Sequence, residues 1–326
     1  MKTMKAPLAI IRLVSGLRHS GRLVGLGTIM LALGACSAGQ AIAPEQRTTA
    51  AIASELPSSP QPVDEKREIQ YQTHVQELST IHTVTIPAHQ GWVVVPAVVD
   101  DLATLRQFGS QHVAIAMLNA GFFDPQNGLT TSYIVSDGEL VADPRTNDRL
   151  IGNPQLADLM PQILNRAEFR RYRCNEVYQY AIARHQDPVP AHCQLIDSVG
   201  AGPRLLPELD LEAEAFVSVD ATGATRDALG SRSRNARSAI ALMPNGDVVF
   251  AMAAQQSEAP TNSGVSLAEM AAFLRSLGAV EALNLDGGSS SGLMIHDEFI
   301  FGRVNAAGER IERPVKSVLM VVEAGE

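Results

Sequence analysis

Two apolar runs joined by a tight-turn signal constrain this chain more than any other feature of its sequence. The stretch AIALMPNGDVVFAMA (239–253) places Asn245-Gly246 between the runs, and this dipeptide favours the positive φ values of hairpin turns. A second hairpin is predicted in SYIVSDGELVAD (132–143), around Asp137-Gly138. Hairpins require antiparallel strands, so we expect a strand-rich domain.

The other strand candidates are short apolar runs bounded by turn residues. Together with the hairpin strands they are IHTVTI (81–86), WVVVPAVV (92–99), HVAIAML (112–118), YIVS (133–136), SAIALM (238–243) and VVFAMA (248–253). Trp92 lies in one of these runs and is expected to be a core residue, not a sugar-stacking platform.

One helix is marked at its start by a capping box. In SLAEMAAFLRSLG (266–278), Ser266 is followed three residues later by Glu269, which is therefore interpreted as a capping carboxylate. The other predicted helices are at 101–108 and within 154–164, the latter ended or kinked at Pro161. The fold class is accordingly predicted as α+β, a mixed, strand-rich single domain with flanking helices.

The N-terminal segment is predicted to be an export signal. Five Lys or Arg residues precede the apolar stretch LVGLGTIMLAL (23–33), which has signal-peptide length and is too short for a full membrane span. The stretch ends in LGAC, which resembles the lipobox of bacterial lipoproteins and implies acylation at Cys36. An ordinary signal peptide or an uncleaved anchor is the alternative. Residues 1–36 thus predict a membrane-anchored lipoprotein of the bacterial cell envelope, facing the periplasm or exterior.

A flexible linker is predicted at residues 37–63, which are rich in Ala, Ser, Pro and Gln and lack the apolar surface needed to fold. No second linker divides residues 64–326, so one domain is expected there. Its two cysteines, Cys174 and Cys193, most simply form a disulfide in an exported protein. A metal site that adds His185 and His192 is the alternative, but its spacing fits no usual zinc site.

The charge of the chain argues against nucleic acid as a partner. The net charge is −9 and the pI is about 5.4. Nucleic-acid-binding domains usually carry a basic patch or stripe, and no block of like charges provides one here.

Polar turns follow two of the apolar strands. NAGFFD (119–124) and NLDGGSSS (284–291) each combine small residues with an amide and a carboxylate, and glycines allow successive N–H groups to point at one anion. Arg204 lies beside a Gly-Pro turn and Arg237 at the mouth of a hairpin strand, and guanidinium groups suit phosphate oxygens. We expect the two turns to share one cleft.

Five segments resemble, in this order, the motifs of the phosphodiester glycosidase family, which is related to the mannose 6-phosphate uncovering enzyme. They are NAGFFD, GAGPRLL (200–206), RSAIAL (237–242), GVSLAEMAAFLRSLGAVEALNLDGGSSS (264–291) and RPVKSVLMVV (313–322). The resemblance covers about residues 80–323. It implies cleavage of a sugar linked through its anomeric carbon to a phosphodiester, in a mixed α/β fold. Ser238 and Ser289 stand where many relatives have threonine and glycine.

The resemblance places five residues at or near the site: Asn119, Arg237, Asp286, Gly287 and Gly288. Cleavage of a glycosyl phosphate requires an anion clamp and a carboxylate near the anomeric carbon. Asp286 is therefore the predicted acid/base or nucleophile, and Asn119 is predicted to orient sugar or phosphate as the second catalytic residue. The predicted phosphate ligands are Arg204, Arg237, Gly287, Gly288, Ser289 and Ser290.

Each of these assignments has a structural alternative. In these alternatives, Asp286 only caps its turn, Asn119 only forms a turn, and Arg237 makes a surface ion pair. Asp124 is expected to cap the turn that follows it. No cofactor is predicted, although a divalent cation held by Asp286 and backbone oxygens is left open.

The function predicted from these residues is that of an exported glycosidase, a hydrolase acting on sugar-1-phosphodiester linkages in envelope or extracellular glycans. Two alternatives use the same cleft: a non-catalytic phosphoglycan-binding lipoprotein, and an accessory enzyme of exopolysaccharide processing. A serine hydrolase is disfavoured, because the serines of 289–291 lie in no G-x-S-x-G elbow.

Overall fold

The computed structural model describes residues 67–220 and 222–324, which contain eighteen β-strands and four short α-helices. The strands are β1 (Gln70–Val75), β2 (Thr80–Ile86), β3 (Trp92–Ala103), β4 (Ala116–Asn119), β5 (Ile134–Ser136), β6 (Glu139–Ala142), β7 (Ala167–Cys174), β8 (Val177–Arg184), β9 (Cys193–Gly200), β10 (Arg204–Leu206), β11 (Val217–Val219), β12 (Thr225–Asp227), β13 (Arg237–Leu242), β14 (Val248–Ala254), β15 (Glu281–Asn284), β16 (Gly292–Ile295), β17 (Glu298–Phe301) and β18 (Val315–Glu323). The helices are α1 (Leu105–Gln111), α2 (Asp148–Ile151), α3 (Met160–Ile163) and α4 (Leu267–Ser276). The strand-rich prediction is confirmed.

The strands form three antiparallel sheets and one small hairpin. Sheet A has the order β1-β2-β14-β13-β15-β10, sheet B the order β17-β16-β4-β18-β3, and sheet C the order β6-β5-β9-β7-β8. The hairpin pairs β11 with β12. One hydrophobic core contains side chains from all three sheets, so sheet C lies against the core that sheets A and B share.

The central strands of sheet A are buried on both faces, and residue size differs between the faces. Ile240 and Phe250 belong to the core shared with the other sheets, whereas Ala239 and Ala251 belong to the cluster that contains the apolar face of α4. Successive side chains of a strand point to opposite faces. The small alanines therefore allow α4 to pack closely on the outer face of sheet A.

Helix α4 has the capping box that its sequence predicts. Ser266 Oγ accepts a hydrogen bond from Glu269 N at 3.2 Å, and Glu269 Oε2 accepts one from Ser266 N at 2.8 Å. Helix α1 begins later than predicted. Its N-cap is Thr104, because residues up to Ala103 continue β3 in its ladder with β18.

Three other local predictions change in detail. The run 112–118 becomes a strand only from Ala116, and 154–164 divides into a 3₁₀-helix and the one-turn helix α3, with Pro161 in the first turn of α3. The β13–β14 hairpin forms, but only Gly246 of its Asn-Gly pair has a positive φ. Its turn is longer than two residues, since Met243 N donates to Asp247 O at 2.9 Å.

The predicted disulfide is present in sheet C. Cys174 and Cys193 are directly paired across β7 and β9, with their Cα atoms 4.1 Å apart. The alternative metal site is not formed by these residues, because the cysteines are bonded to each other and His185 Nδ1 lies 3.1 Å from a carboxylate oxygen of Glu168. Sheet C therefore has a covalent link between two neighbouring strands.

Both ends of the described chain lie at the same end of sheets A and B. Arg67 pairs with Asp247 in the β13–β14 turn at 2.6 Å, and Ala324 N donates to Gly91 O, just before β3, at 2.8 Å. The described residues belong to one compact unit, residues 62–326. The predicted signal peptide, Cys36 and the linker 37–63 lie outside the described residues. Within the described ranges, no helix has the length and apolar character needed to cross a bilayer.

Candidate active site

The two polar strand-end turns meet, as their positions in the sequence predict. Asp286 N, just after β15 of sheet A, donates to Ala120 O, just after β4 of sheet B, at 2.9 Å. Arg313 links the same turns a second time. Its guanidinium carbon lies 5.0 Å from the centre of the Phe123 ring, and Nη1 donates to Ser289 Oγ at 3.0 Å. The turns thus form one site at the end of the two sheets.

Asp286 has an unusual protonation equilibrium. Burial raises the pKa of its carboxyl to about 6, although the neighbouring Ser290 hydroxyl, the Gly287 N–H and the charge of Arg313 lower that pKa in part. The Gly287 N–H donates to Asp286 Oδ1 at 2.9 Å, which fixes the carboxyl at the turn. A carboxyl with this pKa exchanges protons near neutral pH, which suits acid/base chemistry.

Two buried hydroxyls accompany this carboxyl. Ser290 Oγ lies near enough to Asp286 to lower its pKa, but its geometry is not that of a proper hydrogen bond, and Ser291 Oγ also lacks a partner in the described part of the chain. A buried polar group without a partner costs about 1–3 kcal/mol. Both hydroxyls are therefore candidates for contact with a bound molecule.

Asn119 lies entirely inside the protein, at 0% exposure. Its Nδ2 donates to Asp286 O at 2.5 Å, while its Oδ1 accepts from Ser238 Oγ at 2.6 Å and from Gly292 N at 3.1 Å. These bonds hold the Asp286 backbone against both sheets. The geometry supports a positioning role for Asn119, in place of the direct contact with sugar or phosphate that we expected.

Arg237 differs from both sequence-based interpretations. It is 3% exposed, so it is no surface ion pair, and burial lowers its pKa to about 10 while the charge of Asp227 opposes that shift. Among the described residues, its guanidinium donates only to backbone carbonyls, those of Leu229, Gly230, Ser233 and Val265. The predicted phosphate clamp would require these bonds to break.

The strand phase of β13 explains the position of Arg237. Ala239 and Ala241 face α4, and the alternation of side chains places Arg237 on that same face. Ser238 points the other way and reaches Asn119 of sheet B. The arginine therefore anchors the loop before β13, and the serine contributes to the Asp286 side.

The predicted row of amides at 287–290 is largely occupied by the turn itself. Gly288 N donates to Ala236 O, just before β13, at 2.8 Å, and Ser290 N donates to Gly287 O at 3.2 Å within the 3₁₀ turn that Gly288–Ser290 form. Only the Ser289 N–H among these four has no acceptor within the described residues. A Cβ at Gly287 would lie 3.2 Å from Ala236 O, a tight contact that favours glycine there.

Two other sequence-predicted residues lie apart from this turn. Arg204 is in β10, where its N–H donates to Glu214 Oε1 at 2.8 Å, and among the described residues no hydrogen bond joins its guanidinium to the Asp286 turn. Asp124 caps its own turn, as predicted, by accepting from Gln126 N at 2.8 Å. Burial would raise the pKa of Asp124, but that hydrogen bond and Arg149 lower it overall.

Arg313 and Arg303 were missed as site residues. Arg313 begins the RPVKSVLMVV segment, and Arg303 Nη1 donates to Asn235 Oδ1, next to Gly288. This segment is one of the family motifs, but nothing in the neighbouring residues indicates that its arginine contacts a turn more than twenty residues earlier. Within residues 67–220 and 222–324, no group of three or more His, Cys, Asp or Glu side chains is placed to hold a metal ion.

A cavity of about 650 Å³ lies at the opposite end of the sheets from Asp286. Its lining includes Trp92, Tyr178 and Leu242, at the far end of β13 from Arg237. Trp92 is partly buried against the shared core, in agreement with its predicted core role. This cavity contains none of the predicted site residues.

Comparison with known proteins supports the sequence resemblance. A family model described as phosphodiester glycosidase matches residues 112–322. A search of curated proteins gave no match.

Three solved structures share the fold. The catalytic domain of zebrafish N-acetylglucosamine-1-phosphodiester alpha-N-acetylglucosaminidase, auto-inhibited by its pro-peptide, has a TM-score of 0.56 at 16% identity, over 78% of this chain and 82% of that one. A hypothetical protein from Synechocystis has a TM-score of 0.50 at 19% identity, over 78% of this chain and 61% of that one, which is less than two thirds of its length. A protein from Burkholderia pseudomallei K96243 has a TM-score of 0.54 at 16% identity, over 75% and 74% of the two chains.

Proposed function

The chain belongs to the phosphodiester glycosidase family, and on that premise we propose that it is a hydrolase that cleaves sugar-1-phosphodiester linkages in envelope or extracellular glycans. The zebrafish protein is by its name an N-acetylglucosaminidase acting on N-acetylglucosamine-1-phosphodiesters, and we propose the same class of bond here. The observation that carries the proposal is Asp286, whose pKa of about 6 is set by burial where two strand-end turns meet.

Asp286 acts in its ionised form. Cleavage of the bond between the anomeric carbon and oxygen releases a phosphomonoester, whose second pKa is about 6, so the leaving group needs little help from an acid. The positive charge that develops on the sugar is stabilised by a nearby carboxylate. Asp286 supplies that carboxylate, as nucleophile or as base for the attacking water.

Arg313 takes the phosphate-binding role that the sequence assigned to Arg237. Its guanidinium is half-buried, uses one N–H on Ser289 Oγ and stacks on Phe123, so further donors remain for phosphate oxygens. The Ser289 N–H and the Ser290 hydroxyl are the other donors of this turn. These donors lie on one side of Asp286 and stabilise the negative charge that develops on the leaving phosphate.

Release of free sugar is the decisive test. The purified mature protein is incubated with methyl phosphodiesters of N-acetylglucosamine-1-phosphate, glucose-1-phosphate and mannose-1-phosphate, and reducing sugar and sugar 1-phosphate are measured separately. Release of free sugar together with methyl phosphate supports the proposal. Binding without turnover would indicate a phosphoglycan-binding lipoprotein, and release of sugar 1-phosphate with methanol would indicate another phosphoester reaction.

Replacement of Arg313 should impair phosphodiester binding and shift the pH profile. Arg313→Met is expected to lower kcat/KM by about tenfold or more, the scale of a lost charge-assisted contact. It should also move the kinetic midpoint assigned to Asp286 to higher pH, because the charge of Arg313 lowers that pKa. Arg313→Lys keeps the charge, so the midpoint should stay while kcat/KM still falls.

The control for Arg313 is Arg173→Met, which removes an exposed guanidinium that donates to Gln194 Oε1 at 2.9 Å in sheet C. This variant should retain both kcat/KM and the midpoint. If Arg313→Met also retained both, Arg313 would not bind the phosphate.

We further propose that the chain is built from a lipoprotein signal peptide (1–36), a linker (37–63) and a catalytic domain (64–326), and that it is anchored in the cell envelope through Cys36. The support is the apolar stretch before LGAC and the resemblance of that tetrapeptide to a lipobox. After export in a bacterial host, wild-type protein should partition with membranes, and Cys36→Ala should not. Wild-type protein recovered entirely in the soluble fraction would contradict the anchor.

A further inference from the structure

A basic groove lies at the surface of the protein near the Asp286 turn. It consists of two adjoining cavities of about 390 and 360 Å³, which share Arg234 and Thr261. Both volumes are in the range of ligand pockets. We define the basic groove by Arg232, Arg234, Thr261, Asn262, Arg303 and Asn305.

The basic groove connects with the candidate active site through Asn235. Arg303 Nη1 donates to Asn235 Oδ1, and Asn235 Nδ2 lies 3.6 Å from where a Cβ of Gly288 would be. Gly288 begins the 3₁₀ turn that follows Asp286. Arg303, which lines the groove, is therefore separated from the Asp286 turn by a single side chain.

The charge of the basic groove is opposite to that of the protein. The chain has a net charge of −9, yet Arg232, Arg234 and Arg303 line these two cavities, and Glu269 is the only acidic residue among the described residues of the lining. Glu269 is itself paired with Arg234 at 2.5 Å and caps α4. An anionic ligand is the one that such a surface attracts.

The uncharged lining narrows the class of ligand. Thr261 and Asn262 line the same cavities and offer hydroxyl and amide groups suited to sugar hydroxyls. In the part of the chain that the structure describes, no aromatic side chain lines either cavity, although single-stranded nucleic acid is usually bound by stacking of its bases on aromatic rings. The lining therefore favours a charged glycan over a nucleic acid.

We propose that the basic groove binds the neighbouring anionic units of the glycan chain whose phosphodiester lies at Asp286, so that the substrate is a polyanionic glycan and not an isolated sugar phosphodiester. This proposal rests on the proposed function, since it extends the same site along the substrate. Arg232 and Arg234 contact the flanking charges and take no part in bond cleavage.

Direct binding of a polyanion tests the groove without any turnover. Calorimetry with short-chain dextran sulfate at fixed ionic strength should detect binding to the wild-type protein, and uncharged dextran should not bind. The double variant Arg232→Gln/Arg234→Gln should bind dextran sulfate about tenfold more weakly or worse, as expected for two lost charge-assisted contacts. Its turnover of a small methyl phosphodiester should be unchanged.

A matched variant separates the groove from general charge attraction. Arg145→Gln/Arg173→Gln removes the same two charges from exposed positions that line neither cavity, and it should retain wild-type affinity. Equal weakening in both double variants, no binding of dextran sulfate, or tighter binding of an oligothymidylate would each overturn the proposal. If no sugar is released but dextran sulfate still binds selectively to the groove, the binding role of the groove is supported and only the proposed reaction is contradicted.

Discussion

Replacement of Asp286 by Asn should remove at least about 99% of sugar release, the usual scale for a positioned acid or base, while it makes the folded protein more stable at neutral pH. The activity falls because the amide cannot ionise. Stability rises because the folded protein raises the pKa of this carboxyl from its ordinary 3.8 to about 6. Ionisation of the Asp286 carboxyl therefore costs free energy in the folded protein that it does not cost in the unfolded chain.

The sign of the pH dependence follows from that raised pKa. Below about pH 4 the carboxyl is protonated in both states and costs nothing, whereas between pH 4 and 6 it ionises first in the unfolded chain, so stability falls as pH rises. Above pH 6 the full cost is present, on the order of 3 kcal/mol. Asp286→Asn should gain this amount at pH 7 and nothing at pH 4, measured by denaturant unfolding.

The pH dependence of kcat/KM should report the ionisation of the same carboxyl. Wild-type kcat/KM is expected to rise with pH through a midpoint near 6, the pKa of Asp286, because the ionised form is the active one. Asp124→Asn is the matched control: the pKa of Asp124 is lowered overall, so this variant should lose stability at neutral pH and keep most of its activity. Near-wild-type sugar release by folded Asp286→Asn would leave Asp286 as a turn residue only.

Replacement of Arg237 should unfold the protein more than it slows the reaction. Arg237→Met removes a buried guanidinium that donates to the carbonyls of Leu229, Gly230, Ser233 and Val265. Each buried carbonyl left without a donor costs about 1–3 kcal/mol, so a loss of about 3–5 kcal/mol is expected in the free energy of unfolding. Arg237→Lys reaches fewer of these carbonyls and should give an intermediate loss.

Denaturant unfolding of Arg237→Met and of Arg149→Met distinguishes burial from mere loss of charge. Arg149 forms an exposed pair with Asp124 at 2.7 Å, and such pairs contribute about 0–1 kcal/mol. An unchanged unfolding free energy for Arg237→Met, together with a large loss of kcat/KM, would instead restore the phosphate clamp that the chemistry of the guanidinium group predicts.

Local signals in the sequence predicted the elements that carry the site. The β13–β14 hairpin and the capped helix α4 each depend on a few adjacent residues, and both form. The meeting of the two polar turns was predictable because each follows an apolar strand. These are features in which local propensity and tertiary packing agree.

The parts that sequence could not predict depend on tertiary contacts. Strands β7 to β9 were not anticipated, since buried charges interrupt the apolar pattern of β7: Arg170 pairs with Glu168 at 2.6 Å and Arg171 with Asp197 at 2.5 Å. Arg237 was assigned to phosphate because the phase of its strand cannot be read from an apolar run buried on both faces. The position of Arg313 at the site follows only from the pairing of β18 with β4, which the sequence does not indicate.

The positions of residues 67 and 324 determine how the protein can be attached without blocking its site. Both lie at the end of the sheets where β3 begins, and Asn119 is opposite Val318, five residues along β18 from the Trp92–Glu323 pair. At about 3.3 Å per residue, that is about 17 Å from the catalytic end. A bead, a reporter protein or an affinity tag joined at either point would leave the catalytic end facing the solution, so immobilised protein should process large glycans as readily as free protein.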